Sequence, residues 1–377
     1  MKPTLAFCES DTHAAMICEL QRRSLLPVDH VLATGRFPRL DATNLPVTLF
    51  TPDPSLPPAE VWQQAQSVAL GLLDRRDLVQ FQDQGWMAEA VSMAGKSAGA
   101  YRTLIQDGYL TFDTARAFGP RRFLWPLTSK LDWLPLRTPR PRLRVWLNRF
   151  LYRQHYFGIT RPDRALVFGE AMKDRLVRQF GMDDTSVHVT GPLLRPDSLQ
   201  TDYTPPAPDR PLRVLFLDQC FLRYRRMSRK AWQENYLPLI RSLSGFDLTV
   251  KLHPSQPGVD GADVIKSAGP QAVIAGNDRL PETLSLPADV AVTVSSTAFI
   301  ACLAAGVPVI FCDCGALDRM PKIRHELVAN TENSEATSAA LQRFHKTGIF
   351  PLNTTGDPLC RHLFMPGADK FPNALRL

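Results

Sequence analysis

The stretch VAVTVSSTAFIACLAAGVPVIF, Val290 to Phe311, decides how the rest of the chain is read. It opens on an apolar run, Val290–Val294, of strand length and composition. Ser295, Ser296 and Thr297 follow, and their hydroxyls suit the free backbone N–H groups of a first helical turn. A small-residue helix is expected over Ala298–Ala305. Gly306 stops it and Pro308 bars a restart. Val307–Phe311 is then the next strand. Such a unit presents a hydroxyl-rich helix N-terminus at the carboxyl edge of a parallel sheet. Free N–H groups, the helix dipole and three hydroxyls suit a phosphate or another anion there. Taken alone, the Ser-Ser-Thr run reads equally well as a plain helix cap.

The chain has 377 residues, enough for two domains or one large one, and its 44% hydrophobic content supports a sizeable core. The formal charge of +7 suits an anionic small molecule, a membrane surface or nucleic acid, and does not choose among them. The seven cysteines are scattered, mostly in apolar runs where a reduced thiol behaves as a small hydrophobe. None has zinc-ligand spacing, and Cys312 and Cys314 stand too close for most metal geometry. A reducing, cytoplasmic setting is expected. The opening MKPTLAFCESDTHA holds too short an apolar run for a signal peptide. No stretch of about 18 residues is uniformly apolar, so no membrane span is expected.

Strands and helices alternate along the first half. Strands are expected at Thr4–Cys8, His30–Thr34 and Val47–Thr51, with helices over Thr12–Arg22, Ala59–Leu73 and Gln82–Ala94. This order argues for an α/β domain with a parallel sheet. An apolar stub from Tyr101 then ends in Gln106-Asp107-Gly108. Asp-Gly after a strand is most often a turn. The alternative places Asp107 at the carboxyl edge of the sheet, where ligands collect in open α/β folds.

Residues 121–156 have a different composition. Arginines, among them Arg142, Arg144 and Arg149, interleave with Trp125, Trp133, Trp146 and other aromatics. A helix over Leu143–His155 would read as interfacial, with peripheral contact to an anionic membrane surface, or as part of an acceptor groove. An ordinary solvated basic face is the plain reading. No nucleic-acid-binding fold accompanies the charge, so no nucleic-acid partner is expected. A strand at Arg164–Gly169, a helix over Glu170–Phe180 stopped by Gly181, and a strand at Ser186–Gly191 complete the first domain, residues 1–191. Residues 192–211 hold six prolines and read as a linker.

A second α/β domain, residues 212–350, restarts with the strand Leu212–Leu217, just past which lies Gln219. A helix over Lys230–Ser244 and a strand over Phe246–Leu252 follow. That strand delivers His253-Pro254, and Pro254 forbids its continuation as an interior strand. A strand at Val273–Ala275 and a short helix at Leu280–Leu284 precede the opening stretch. After it, helical segments are expected over Lys322–Val328 and Ser334–Phe344. A Pro-rich, irregular tail occupies 351–377. A histidine at a sheet edge beside a helix N-terminus can bind a phosphate and assist its departure.

Gln106-Asp107-Gly108, His253-Pro254 and Ser295-Ser296-Thr297 come in an order that resembles the GT-B glycosyltransferases of bacterial surface glycans. The order resembles particularly those that use CMP-activated acidic sugars, the sialyltransferases, polysialyltransferases and capsular Kdo transferases, with the CDP-glycerol polymerases as neighbours. The family carries an acidic pair before the glycine, and here Gln106 takes the first acidic place.

The resemblance implies two Rossmann-like α/β/α domains facing a central cleft, the first for the acceptor and the second for the nucleotide sugar. It implies an inverting transfer of a sialic acid-like sugar or Kdo from a CMP donor to a hydroxyl of a surface glycan or glycoprotein. Asp107 would be the base. His253 would hold the phosphate and assist its departure, with Gln219, Pro254, Ser295, Ser296 and Thr297 as further donor-binding residues. No metal or other cofactor is implied. Two alternatives stay open: a CDP-glycerol or UDP-sugar transferase or epimerase of the same fold, and a catalytically silent binding protein.

Overall fold

The computed structural model describes residues 2–53, 55–83, 86–108, 143, 157–158, 160–194, 199–222, 226–253, 258–275, 287–316, 320–363 and 374–375. Arg142, Arg144 and Arg149, Pro254 and the expected helix Leu280–Leu284 lie outside these residues, as does the expected helix Leu143–His155 beyond Leu143 itself. The described residues form two compact units. One holds the chain up to Leu194 and the segment from Cys360 onward, and the other holds the residues between, up to Leu359.

The first unit carries seven strands. They are β1 (Thr4–Cys8), β2 (Val28–Ala33), β3 (Val47–Leu49), β4 (Asp77–Gln80), β5 (Arg102–Ile105), β6 (Arg164–Val167) and β7 (Val187–Val189), in the order β3-β2-β1-β4-β5-β6-β7. Every pairing is parallel. Side-chain alternation along β1 builds an apolar core on each face of the sheet. Ala6 and Cys8 pack with Ala14, Met16, Ile17 and Leu20 of helix Asp11–Arg22. Leu5 and Phe7 pack on the other face with Ala69 of helix Pro58–Leu72 and with Ala88, Val91 and Ala94 of helix Trp86–Ser97. Strands buried on both faces read as continuous apolar runs, which is why β1 was legible from composition.

The C-terminal segment returns to this unit. Arg164 donates to the carbonyl of Leu375, and a side chain at Gly169 would run into the carbonyls of Arg361 and His362. Helix Glu170–Phe180 ends at Gly181, whose φ of 64° is the left-handed cap that glycine supplies without strain.

The second unit carries β8 (Arg213–Leu217), β9 (Asp247–Lys251), β10 (Val273–Ala275), β11 (Val290–Thr293), β12 (Val309–Cys312), β13 (Ile323–Arg324), β14 (Val328–Thr331) and β15 (Asp357–Pro358). Its main sheet has the order β10-β9-β8-β11-β12-β14, again all parallel, and β13 pairs with β15. Each main sheet thus reverses its winding beside its own first strand, between β1 and β4 and between β8 and β11. In open α/β sheets ligands bind at such a switch point, beyond the carboxyl ends of the strands.

Four elements differ from the sequence reading. Strand β4 was missed because Asp77-Leu-Val-Gln is short and flanked by Arg75 and Arg76 on one side and Gln82 and Asp83 on the other. Helix Gly258–Ala268 was missed because Gly258 and Gly261 weaken its helical signal. The helix expected over Lys322–Val328 is instead strand β13 and the start of β14. Ile323–Arg324 pairs with Asp357–Pro358, and Val328 pairs with Val309 to begin the sixth strand of the main sheet, so strand pairing overrides the helix-like polar spacing of this run. The helix expected over Lys230–Ser244 is present but interrupted: residues Trp232–Tyr236 form a π-helical turn that leads into Leu237–Leu243.

Candidate functional site

Each unit gathers polar side chains at the carboxyl edge of its sheet, next to its switch point. In the first unit Glu9 follows β1, Gln82 follows β4, and Gln106 and Asp107 follow β5. Ser10 caps helix Asp11–Arg22 by accepting from the His13 amide at 3.1 Å, which sets His13 in the first turn. The buried His13 ring leans on Phe81, with centroids 5.3 Å apart. Its Nε2 lies 3.0 Å from Asp107 Oδ2, and its Nδ1 lies 3.2 Å from the Glu9 amide nitrogen. Glu9 in turn accepts from Gln82 at 2.7 Å. Burial pushes the Glu9 carboxyl above the usual range, although the bond from Gln82 draws it back.

Gln106, in the place of the expected first acidic residue, is buried and has a structural task. Its carbonyl accepts from the Phe168 amide at 2.8 Å and its amide donates to the Gly108 carbonyl at 2.8 Å. A carboxylate could make the first bond but not the second. Asp107 is turned the other way and keeps about a quarter of its side chain exposed, at 24%. His13, Glu9 and Gln82 were missed in the sequence. The available signal was Glu-Ser-Asp-Thr-His directly after the first strand, which is the first strand-to-helix turn of a nucleotide-binding type of sheet.

In the second unit β8, β9 and β11 are neighbours and bring Gln219, His253 and Ser295 to one sheet edge. Asp218, only 2% exposed, organises this edge. It accepts from the Tyr236 hydroxyl at 2.7 Å and from the His253 amide at 3.3 Å, and the Gln219 amide donates to the Tyr236 oxygen at 3.0 Å. Burial raises the Asp218 carboxyl above its ordinary range, and the bonds from Tyr236, His253 and Gln219 oppose that rise. The Tyr236 phenol is pushed well above 10 by burial and then by the Asp218 charge. Tyr236 is the last residue of the π-helical turn, and π turns are frequent at functional sites. His253 Nδ1 lies 3.2 Å from the thiol of the buried Cys220.

The turn after β11 differs from the sequence expectation. Gln219 Oε1 accepts from the Ser295 amide at 2.9 Å and from the Ser295 hydroxyl at 3.0 Å. The Ser296 amide donates to Thr293 Oγ1, and the Ala298 amide to Ser296 Oγ, each at 3.3 Å. Three amides expected to be free for an anion are thus bonded within the chain. The helix starts later, at Phe299, and is six residues long. Small hydroxyl residues compete for their own backbone in this way, which shortens a helix start. Donors for an anion at this edge come chiefly from side chains. A backbone N–H can only donate, so the Ser295 amide fixes which end of the Gln219 amide faces it and turns the Nε2 group away. Among the described residues no group of three or more His, Cys, Asp and Glu side chains could hold a metal ion, and no helix is long and apolar enough to cross a membrane.

With two parallel-sheet α/β domains of this winding, the chain has the GT-B fold of glycosyltransferases and nucleotide-sugar epimerases. Among solved structures it is similar to a putative UDP-N-acetylglucosamine 2-epimerase from Listeria monocytogenes, with a TM-score of 0.55 at 12% identity over 99% of this chain and 94% of that one. It is similar also to the UDP-GlcNAc 2-epimerase of Neisseria meningitidis solved with UDP-GlcNAc, with a TM-score of 0.53 at 12% identity over 99% and 97% of the two chains. The lipopolysaccharide outer core galactosyltransferase WaaB aligns with a TM-score of 0.51 at 11% identity over 99% and 94%. No protein-family model and no curated protein matches the chain.

Proposed function

We propose that this chain is an inverting glycosyltransferase that moves a sugar from a nucleotide-activated donor to a hydroxyl of a glycan acceptor. The observation that carries this reading is the carboxylate of Asp107. It stands at the carboxyl edge of the first sheet, one strand from the switch point, is partly exposed, and has one oxygen bonded to His13. Gln106 is occupied structurally, so its replacement of an acidic residue does not argue for a silent protein.

In this mechanism Asp107 accepts the proton of the acceptor hydroxyl as its oxygen attacks the anomeric carbon. The bond from that carbon to the phosphate oxygen breaks, and the nucleotide leaves with the electron pair. His253, the Gln219 amide and the hydroxyls of Ser296 and Thr297 stabilise the departing phosphate, while Ser295 holds Gln219 in orientation. A single displacement inverts the anomeric centre. Side-chain donors and cations carry the charge stabilisation, with no metal and no other cofactor. The basic and aromatic segment containing Arg142, Arg144 and Arg149 takes the contact with the acceptor or with an anionic membrane surface.

The motif order favours a CMP-activated acidic sugar as the donor. A UDP-sugar reading, for transfer or epimerisation, is favoured by fold neighbours solved with UDP-GlcNAc and, for HepE from Anabaena, with UDP-glucose. The test is nucleotide release from a panel of CMP- and UDP-sugars, with and without glycan acceptors. Release of CMP is expected, and Asp107→Asn should slow it roughly 10²- to 10⁴-fold. Release of UDP alone moves the assignment to the second reading. No release from any donor overturns the enzyme reading.

A further inference from the structure

We infer that His13 is a positioning residue for Asp107, held in one tautomer by the backbone of Glu9. The inference rests on the reading of Asp107 as the base. Its physical ground is the fixed polarity of one bond. The Glu9 amide N–H can only donate, and it points at His13 Nδ1 at 3.2 Å. That nitrogen therefore keeps its lone pair, and the ring proton sits on Nε2. Nε2–H then donates to Asp107 Oδ2 at 3.0 Å. Protonation of Nδ1 would set two N–H groups against each other in a buried place, since His13 is only 1% exposed. The ring consequently works as a neutral, permanent donor and not as the base.

Three further contacts fix the ring. Ser10 caps the helix turn that carries it, Phe81 packs against its face, and the bond between Gln82 and the Glu9 carboxyl steadies the residue that supplies the amide. The consequence for Asp107 is directional. One carboxylate oxygen is engaged by His13, and the other remains for the acceptor hydroxyl. Glu9 is the neighbouring ionisable group, and burial first, then the nearby Asp107, push its carboxyl up, against the opposing bond from Gln82 and the His13 ring.

Two substitutions separate positioning from mere packing. His13→Gln keeps an acceptor for the Glu9 amide and a donor for Asp107. His13→Phe keeps bulk and removes both. His13→Phe should lower kcat roughly 10- to 100-fold with little change in KM. His13→Gln should restore most of kcat, again with little change in KM. Glu9 is present in both variants, so the difference between them isolates the ring. Ring-nitrogen NMR on the wild-type protein is an independent measurement and does not depend on turnover. A bare Nδ1 and a protonated Nε2 are expected at neutral pH. An imidazolium, a proton on Nδ1, or a folded His13→Gln variant as impaired as His13→Phe would overturn the inference. Unchanged turnover in Asp107→Asn would instead remove the reading of Asp107 as base. The tautomer, and direct titration of the Asp107 carboxyl by NMR in the two His13 variants, would then still decide whether the ring positions that carboxylate.

Discussion

A single oxygen of Gln219 accepts both the amide and the hydroxyl of Ser295, at 2.9 and 3.0 Å, and so ties the end of β8 to the end of β11. These strands flank the switch point of the second sheet. With its oxygen committed, Gln219 has only N–H donors left to offer. Gln219→Glu keeps the acceptor for Ser295 and replaces those donors by a second carboxylate oxygen. Nucleotide affinity should fall at least tenfold, about 1.4 kcal/mol. Titration of CMP and UMP into the variant checks this. An unchanged affinity would show that the amide of Gln219 meets no phosphate.

Tyr236 takes part in two bonds of the buried network beneath that edge, donating to Asp218 and accepting from the Gln219 amide. Tyr236→Phe deprives buried Asp218 Oδ1 of its hydroxyl donor and the Gln219 main-chain amide of its phenol acceptor. The expected loss is about 1–3 kcal/mol of stability, with weaker nucleotide binding alongside. Urea denaturation measures the first effect. Wild-type stability in the variant would contradict a stabilising role for the Tyr236 hydroxyl.

Asp289, buried just before β11, is bonded to Arg210 at 2.6 and 2.7 Å and to Arg213 at 2.9 Å. Burial pushes its carboxyl up, but the two guanidinium groups outweigh that and hold it well below the usual aspartate range. An acid with a depressed folded pKa contributes stability above its unfolded value, about 4, and loses it as pH falls through the folded value. Asp289→Asn should therefore cost about 1.5–3 kcal/mol at pH 7, and the deficit should shrink steadily below pH 4. Thermal melts of both proteins across this range decide it. A deficit independent of pH would point to packing instead of charge.

Thiol reactivity offers a fourth expectation. Burial pushes the thiols of Cys8 and Cys302 up to about 12, whereas Cys360 is exposed. An alkylating reagent at pH 8 should label Cys360 first in the native protein and reach Cys8 and Cys302 only on unfolding. Early labelling of Cys302 would mean that helix Phe299–Ala304 opens readily. Peptide mass spectrometry reads either result.

Much of the architecture was legible because parallel strands are buried on both faces. Thr4–Cys8 and Val273–Ala275 were bounded correctly from apolar runs alone, and helix Glu170–Phe180 from its glycine stop. Strand β4 was not legible, because four residues in a polar setting become a strand only through their place between β1 and β5. The same limit applied to the site. Asp107, Gln219, His253 and Ser295 stood out because each follows a strand. Their partners did not, because the distance from His13 to Asp107 is 94 residues in sequence and that from Cys220 to His253 is 33. The amides of Ser295 and Ser296 looked free in sequence because their acceptors, Gln219 and Thr293, are supplied by side chains that only the folded turn brings near.

The measurement that tests the central claim most directly is calorimetric binding of CMP, CDP, UMP and UDP to the wild-type protein and to His253→Ala. The account predicts a saturable site that prefers CMP and is lost or greatly weakened without His253. Preference for a uridine nucleotide would move the donor assignment and keep the site. No binding of any of the four, or binding indifferent to His253, would contradict the claim that this edge of the second sheet holds a nucleotide sugar.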